Sequence, residues 1–423
     1  MLDLRTIRED PGPARAALAR RGAGEALDEL LGLDRRRREL LPEVEARRAV
    51  QNRASERIAE AKRSGEDAEP VITEMRQVSA EVKELEIELS EVESKLEGLA
   101  ATLPNIPEPD APDGDSEEDA VTLREVGDVP RFEFEPRDHL DLGTANGWIE
   151  MEKAAQASGS RFAFVMGELV MVELALIKLV LDLLLDDGVV PVVPPVLVRE
   201  APLYGTGFFP SEREMIYEVP RDELFLVGTS EVSLAALHAD ELLDGADLPL
   251  RYAGLSTCFR RESGAAGKDT RGIFRVHQFD KVEMFSFVRP EDSKAEHERL
   301  VAIEERILRM LELPYRVVDI PVGDLGAPAA RKLDCEAWIP SQSRYREVTS
   351  CSNTTDYQAR RLECRFRPEP DAAPAHVHTL NGTALAVPRI LVALIENGQR
   401  ADGSVGLPPA LRAAGAPEAI GGR

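Results

Sequence analysis

The chain has 423 residues, 43% of them hydrophobic and 30% charged, which suits a globular protein with room for two or three domains. Its formal net charge of −25 argues against indiscriminate nucleic-acid binding, although a local basic patch can still hold RNA. Four cysteines without CxxC spacing, and an N-terminus without the apolar core of a signal peptide, predict a cytoplasmic protein in a reducing compartment.

The first hundred residues predict a short helical unit, up to about Gly24, and then a long helical hairpin. Apolar residues recur at spacings of three and four on both sides of the breaker Ser64–Asp67, which is the pattern of a coiled-coil seam. We therefore predict an antiparallel coiled coil of about 35 residues per helix, roughly 50 Å long at about 1.5 Å per residue. Polar residues interrupt the seam of the first helix, where Pro42 is expected to produce a kink; they are Arg37, Arg47 and Gln51.

The two predicted helices differ in charge, because the first is rich in arginine and the second in glutamate. Salt bridges between the helices of a solvated arm would explain this difference. An arginine-lined helix that follows an RNA backbone would explain it equally well. On the second interpretation the RNA-contacting residues are Arg35, Arg36, Arg47, Arg48, Arg53 and Arg57. The acidic, proline-rich segment from Glu108 to Ala120 then predicts a mobile linker.

The rest of the chain predicts an α+β domain. The apolar run Leu169–Leu185 contains charged residues, so it indicates a buried helix and not a membrane span. The proline-punctuated run Val189–Val198 fits an edge or interface strand. Several later strands are not separated by regular helices, which favours an antiparallel sheet; they lie near residues 224–227, 314–318, 335–339 and 345–350.

The stretch from Cys258 to Phe285 predicts a site for a nucleoside triphosphate. Two strand-like segments enclose a glycine-rich loop with fixed positive charge, and arginine matches phosphate and carboxylate bidentately. The second segment is expected to run from Phe274 through Met284. The alternative is a charged hairpin with a solvated tip. The loop residues are Gly264, Gly267, Lys268, Arg271 and Gly272. The four cysteines are interpreted as small buried thiols and not as a zinc site, because no pair has ligand spacing.

Five short stretches in order, together with the predicted arm, resemble the seryl-tRNA synthetases of bacteria, which are class II aminoacyl-tRNA synthetases. The resemblance covers essentially the whole chain, and five motifs in order are far more specific than one. The stretches are Tyr204–Gly207, Thr229–Glu231, Phe259–Glu283, Tyr345–Arg361 and Leu380–Glu396. Ala384 and Pro388 depart from the glycines that are common in this family.

The resemblance implies a class II antiparallel sheet flanked by helices, and it implies roles for individual residues. Arg260, Glu283 and Arg389 would be catalytic. ATP would be held by Arg260, Arg261, Glu262, Arg271, Val276, Phe279, Glu347, Val348, Thr349, Ser350 and Arg389, with Mg²⁺ on Glu347 and Ser350. Serine would be held by Thr229, Ser230, Glu231, Arg260, Glu283, Asn381 and Thr383.

The same resemblance implies that the chain joins L-serine to tRNA(Ser), and also to tRNA(Sec), by way of seryl-adenylate. It implies a homodimer with a tRNA-binding region at residues 1–104, a linker at 105–125 and a catalytic domain at 126–423. Two alternatives differ in function. A related enzyme would load serine onto a carrier protein or metabolite, for which the basic arm has little use. A catalytically silent RNA-binding protein would not need the arginines and glutamates of the motifs.

Overall fold

The computed structural model describes residues 1–263, 269 and 271–422, and these form two compact units. The first unit runs from Leu2 to Leu103 and is entirely helical. The second begins at Pro104 and contains all of the described strands. No described helix is long and apolar enough to cross a membrane.

The first unit has two short helices and a long helical pair, as the sequence predicts. The pair is continuous on each side of Gly65, whose left-handed φ of 76° ends the first long helix. The helix continues through Pro42, which lies on its exposed side, and the predicted kink stays a prediction. The helices are α1 (Leu4–Glu9), α2 (Pro11–Ala19), α3 (Gly24–Ser64) and α4 (Glu69–Thr102).

Polar seam positions of α3 are paired across the arm. Arg37 and Arg47 bind Glu93 and Glu81 of α4 at 2.9 and 3.0 Å, and Gln51 donates to Ser79 Oγ at 3.0 Å. Other arginines of α3 also bind glutamates of α4, so the salt-bridge interpretation of the charge pattern describes the free arm. These further pairs are Arg36–Glu88 at 2.6 Å, Arg48–Glu86 at 2.6 Å and Arg57–Glu74 at 3.7 Å.

An eight-stranded sheet dominates the second unit, and all but one of its pairings are antiparallel. Its strands are β1 (Val121–Val126), β4 (Val190–Val192), β9 (Leu250–Phe259), β10 (Gln278–Val288), β11 (Tyr315–Asp319), β12 (Arg331–Ile339), β13 (Arg344–Thr355) and β16 (His378–Ala386). Their order across the sheet is β1-β11-β12-β13-β16-β10-β9-β4. The proline-punctuated β4 lies at an edge, as predicted, and its pairing with β9 is the parallel one.

Helices cover this sheet and bury its apolar side chains. The apolar run of the sequence forms a helix, Glu168–Asp186, which packs into the main hydrophobic core. The helices of this unit are α5 (His139–Ala145), α6 (Glu152–Ser158), α7 (Glu168–Asp186), α8 (Glu200–Thr206), α9 (Glu231–Ala235), α10 (Ser293–Met310), α11 (Tyr357–Arg361), α12 (Val387–Asn397) and α13 (Pro409–Ala413).

Smaller sheets complete the second unit. Their strands are β2 (Ile149–Glu150), β3 (Phe164–Val165), β5 (Leu197–Val198), β6 (Tyr217–Val219), β7 (Leu224–Leu226), β8 (Leu242–Asp244), β14 (Arg365–Arg367), β15 (Ala375–His376), β17 (Val405–Gly406) and β18 (Ala419–Ile420). All four cysteines are buried free thiols, as predicted.

The segment predicted as a linker is hydrogen-bonded to the rest of the second unit at several points. Asn105 donates to the carbonyls of Pro328 and Thr354 at 2.9 and 2.8 Å. Ala111 is buried, and the Pro112 carbonyl accepts a hydrogen bond from Val322. These few contacts join the segment to the sheet, which its proline and acid content did not indicate, and its mobility stays a prediction.

Candidate active site

A cavity of about 240 Å³ in the second unit brings most of the predicted site residues together. They come from three strands of the large sheet and from the segments that enter or leave it. The predicted residues that line the cavity are Thr229, Glu231, Arg260, Glu262, Val276, Phe279, Glu283, Glu347, Val348, Thr349, Ser350, Asn381, Thr383 and Arg389.

One end of the cavity is a buried polar cup. Strand β10 has an irregular register with β16 between Val282 and Glu283, and beyond it Glu283 pairs directly with Thr383. The Thr383 hydroxyl donates to Glu283 Oε2 at 3.0 Å, and Lys281 Nζ lies 2.6 Å from the same oxygen. Lys281 therefore balances the negative charge of Glu283, and the Glu283 side chain still lines the cavity.

Glu231, at the start of α9, contributes a second carboxylate to the cup. It is only 8% exposed, and Asn381 Nδ2 donates to its Oε1 at 3.0 Å. Burial, followed by the charge of Glu283, raises the pKa of Glu231 to about 7. A cation that enters the cup would restore the ionised form, so the cup suits an ammonium group.

Arg260 lies between the cup and the wider part of the cavity. Its Nε donates to the Gly228 carbonyl at 3.1 Å, and its guanidinium carbon is 5.4 Å from the centroid of the Phe279 ring. The Arg260 N–H donates to the His277 carbonyl at 2.9 Å, and the His277 ring Nδ1 lies 2.8 Å from the Arg260 carbonyl, so the two residues close the base of the loop that joins β9 to β10. A guanidinium that is fixed in this way offers its remaining donors to an anion with little loss of entropy.

The other cationic wall is Arg389 on α12. Its Nη1 binds Glu347 Oε1 at 2.8 Å, and its guanidinium carbon lies 5.2 Å from the centroid of Phe274. Glu347 and Ser350 are three residues apart, and in a regular strand they would face opposite sides of the sheet. The register of β13 with β12 shifts by one residue between them, so both line the same cavity.

Two family descriptions match the chain. Residues 1–107 match the seryl-tRNA synthetase N-terminal domain, and residues 216–398 match the tRNA synthetase class II core domain (G, H, P, S and T). The serine–tRNA ligase of Acidothermus cellulolyticus is 50% identical over 415 residues, which are 97% of this chain and 97% of the relative. The chain belongs to the seryl-tRNA synthetase family.

The chain is similar to other members of the seryl-tRNA synthetase family over nearly its whole length. The serine–tRNA ligase of Thermobifida fusca is 48% identical over 97% of both chains. The crystal structure of seryl-tRNA synthetase from Pyrococcus horikoshii complexed with ATP superposes with a TM-score of 0.91 at 41% identity, and the match covers 100% of this chain and 99% of that one. The expected class II fold is therefore confirmed.

Three residues predicted for the seryl-tRNA synthetase site do not line the cavity. Arg261 stacks over Tyr217 and donates to the Ile216 carbonyl. The exposed Arg271 pairs with two aspartates, Asp138 and Asp141. Ser230 is fully buried and donates to the Gly254 carbonyl at 3.2 Å. Their roles toward substrates stay predictions, and Gly264, Gly267 and Lys268 lie outside the described residues.

Sequence reasoning missed several residues that line the seryl-tRNA synthetase cavity. Lys281 had a usable signal, because it precedes Glu283 by two positions on one strand and so shares its face. Phe274 was also missed as a cavity residue. Both Phe274 and the predicted Val276 precede β10, although they were expected to lie on its strand. Phe208 and Arg275 also line the cavity, and the position of Phe208 depends on chain folding that no local pattern reports.

Proposed function

We infer that this chain is a serine–tRNA ligase, which activates L-serine with ATP and transfers the seryl group to tRNA(Ser), with release of AMP and pyrophosphate. The observation that carries this inference is one cavity in which a carboxylate-lined cup adjoins two fixed arginines, Arg260 and Arg389. Membership of the chain in the seryl-tRNA synthetase family supports the same reaction. Serylation of tRNA(Sec) is inferred from the family alone. Because tRNA and ATP meet in the cytoplasm, the enzyme acts there.

In the first step, a carboxylate oxygen of serine attacks the α-phosphorus of ATP, and the bond to the pyrophosphate oxygen breaks. Both reactants are anionic, so positioning and fixed positive charge are the main contributions that the protein makes. Arg260 lies where it can contact the serine carboxylate and the α-phosphate together. Phe279 and Arg389 offer a ring face and a guanidinium plane to the adenine.

The cup accounts for the choice of serine. Its ammonium group would lie against Glu231, and its hydroxyl against Glu283 and Thr383. Alanine in the same place would leave these buried polar groups without a partner, which can reject it by roughly 10⁴-fold. In the second step, a hydroxyl of the terminal ribose of the tRNA attacks the carbonyl carbon, and AMP leaves.

The residues present fit Mg²⁺ that arrives with ATP. Glu347 and Ser350 supply a carboxylate and a hydroxyl oxygen on one face of β13, and oxygen is the donor that this ion prefers. The described residues contain no group of three or more His, Cys, Asp or Glu that suits a metal. An ion held mainly by phosphates, with Glu347 and Ser350 as its protein ligands, would neutralise charge on those phosphates.

The arm is proposed to bind the tRNA by shape and backbone contacts. Four of its candidate arginines are paired with glutamates in the free protein, so RNA phosphates would have to replace or share these partners. The remaining candidates, Arg35 and Arg53, are exposed. Because surface ion pairs contribute only about 0–1 kcal/mol each, the cost of such an exchange is small.

Serine-dependent ATP–pyrophosphate exchange, followed by charging of purified tRNA, tests the proposed function. We expect exchange with serine, far weaker exchange with threonine or alanine, and charging of tRNA(Ser). Exchange without charging would favour the enzyme that loads a carrier. Active-site-titrated protein that shows no exchange with serine would refute the proposal.

We propose a homodimer that assembles through α7 and β4. Large apolar side chains are exposed together on this part of the second unit, and such patches mark interaction surfaces. Their exposed fractions are 54% for Met171, 53% for Leu174, 59% for Leu185, 53% for Val190 and 83% for Val193.

Replacing Leu174 and Val193 by aspartate is expected to convert the dimer into monomers, because burying two carboxylates at an apolar interface is unfavourable. Sedimentation velocity measures the change. The matched control is Ile87→Asp, which alters a similarly exposed apolar residue (51%) on the arm and should leave the dimer intact. A double variant that stays dimeric would show that the interface lies elsewhere.

A further inference from the structure

Behind the cup lies a chain of buried polar groups that ends on Glu231. Gln358 of α11 is fully buried, and its Nε2 donates to Glu231 Oε1 at 2.8 Å. The same nitrogen donates to the Thr206 carbonyl at 3.2 Å. On the other side, the Thr379 hydroxyl donates to Gln358 Oε1 at 2.9 Å.

These contacts fix the orientation of the Gln358 amide. Its oxygen faces a hydroxyl donor, and its nitrogen faces two acceptor oxygens, on Glu231 and Thr206. If the amide were flipped, its oxygen would face the acceptor oxygens of Glu231 and Thr206. Its NH₂ group would then face the Thr379 hydroxyl, which is the donor in the observed arrangement. The wrong orientation is therefore strongly disfavoured before any substrate binds.

The consequence for Glu231 is an asymmetric carboxylate. Gln358 and Asn381 both donate to Oε1, at 2.8 and 3.0 Å. Within the described part of the chain, no hydrogen bond is made to Oε2, and Glu231 lines the cavity. Oε2 is thus the oxygen presented to an incoming ammonium group.

We propose that Gln358 is a positioning residue for serine. It does not line the cavity, but it holds Glu231 so that Oε2 faces the substrate, and its donated hydrogen bond favours the carboxylate form that binds an ammonium group. This inference rests on the proposed function, because it assigns the ammonium of serine to Glu231.

Gln358→Met tests the proposal, because it keeps a long side chain and removes both polar ends. A hydrogen bond to a charged group is lost, so we expect the KM for serine in the exchange reaction to rise roughly 10- to 100-fold. The KM for ATP should change by less than about threefold, since Gln358 has no contact with the nucleotide end of the cavity. A purely structural role would lower stability without this selective effect on serine.

The pH dependence gives a second readout. Glu231 faces Glu283 and Lys281 of β10 and lies within range of Glu212, and the hydrogen bond from Gln358 lowers its pKa. Loss of this hydrogen bond leaves the Glu231 carboxylate less ionised near neutrality. Raising the pH from 7 to 8 should therefore restore serine binding more in the variant than in the unmodified protein. An equal pH response in both proteins would contradict the proposal.

Gln399→Met is the matched control. Gln399 is also buried, and it is also held by hydrogen bonds at both ends of its amide, but its partners lie at Arg137 and Glu396, away from the cup. This variant should lose stability and keep its serine KM.

If Gln358→Met does not fold, Gln358→Glu provides the same test, because a second carboxyl against Glu231 should also raise the serine KM selectively. An unchanged serine KM in a folded Gln358 variant would overturn the inference while leaving the ligase function in place. Failure of the unmodified protein to exchange with serine would instead overturn the function itself.

Discussion

Arg260→Ala is expected to abolish serine-dependent ATP–pyrophosphate exchange, with a fall in kcat/KM of about 10³-fold or more. Arg260 lines the same cavity as the cup residues and lies over the Phe279 ring, so it can act where the two anions meet. Without it, their repulsion is not offset at the reacting atoms, and the carboxylate is no longer held in line with the α-phosphate. Exchange measured at saturating serine and ATP distinguishes a slower reaction from weaker binding of the substrates.

Two further variants sharpen the test of Arg260. Arg260→Lys keeps the charge but not the planar fork, so it should recover only part of the activity. Arg261→Ala changes the neighbouring arginine, which stacks over Tyr217 outside the cavity, and should cost less than about tenfold. Equal losses in Arg260→Ala and Arg261→Ala would mean that the geometry of the free protein does not identify the catalytic arginine.

Deleting Leu33 to Leu96 and joining the ends by a short turn is expected to leave exchange intact and to abolish tRNA charging. The deleted residues belong to the helical unit, whereas every residue that lines the cavity belongs to the other unit. Activation of serine therefore keeps its machinery, and only the proposed RNA-binding surface is lost.

Aminoacylation of purified tRNA(Ser) with serine, measured beside exchange on the same preparation, checks the effect of the deletion. A companion variant that replaces Arg35 and Arg53 by alanine keeps the arm and removes two exposed positive charges. It should weaken tRNA binding and reduce its dependence on salt concentration. A deletion variant that charges tRNA normally would show that the arm has a different role.

Local patterns were sufficient for much of this molecule. The seam spacing predicted the helical pair α3 and α4. Local strand patterns predicted β7 and β11 in nearly their observed positions and parts of the longer strands β12 and β13. The charged motifs predicted most of the residues that line the cavity. These features follow from short-range periodicity or from contiguous motifs, which a sequence displays directly.

Other features were invisible to such patterns. The acidic segment Glu108–Ala120 was predicted to be a linker from its composition, which gave no sign that Glu108 donates to the Ala330 carbonyl and that Pro112 accepts from Val322. The register shift that places Glu347 and Ser350 on one side depends on how β13 pairs with β12. In both cases the decisive interaction joins residues that are distant in the chain.

By itself, the sequence determined the class of fold, the arm and the chemical character of the site, because helical and strand periodicity and the charges of the motifs are local properties. Only the tertiary structure decided which oxygen of Glu231 faces the substrate and that Gln358 stands behind it, since Thr206, Glu231, Gln358 and Thr379 come from four separate segments. Hydrogen bonds between such segments depend on the packing of the whole sheet, and no local pattern specifies that packing.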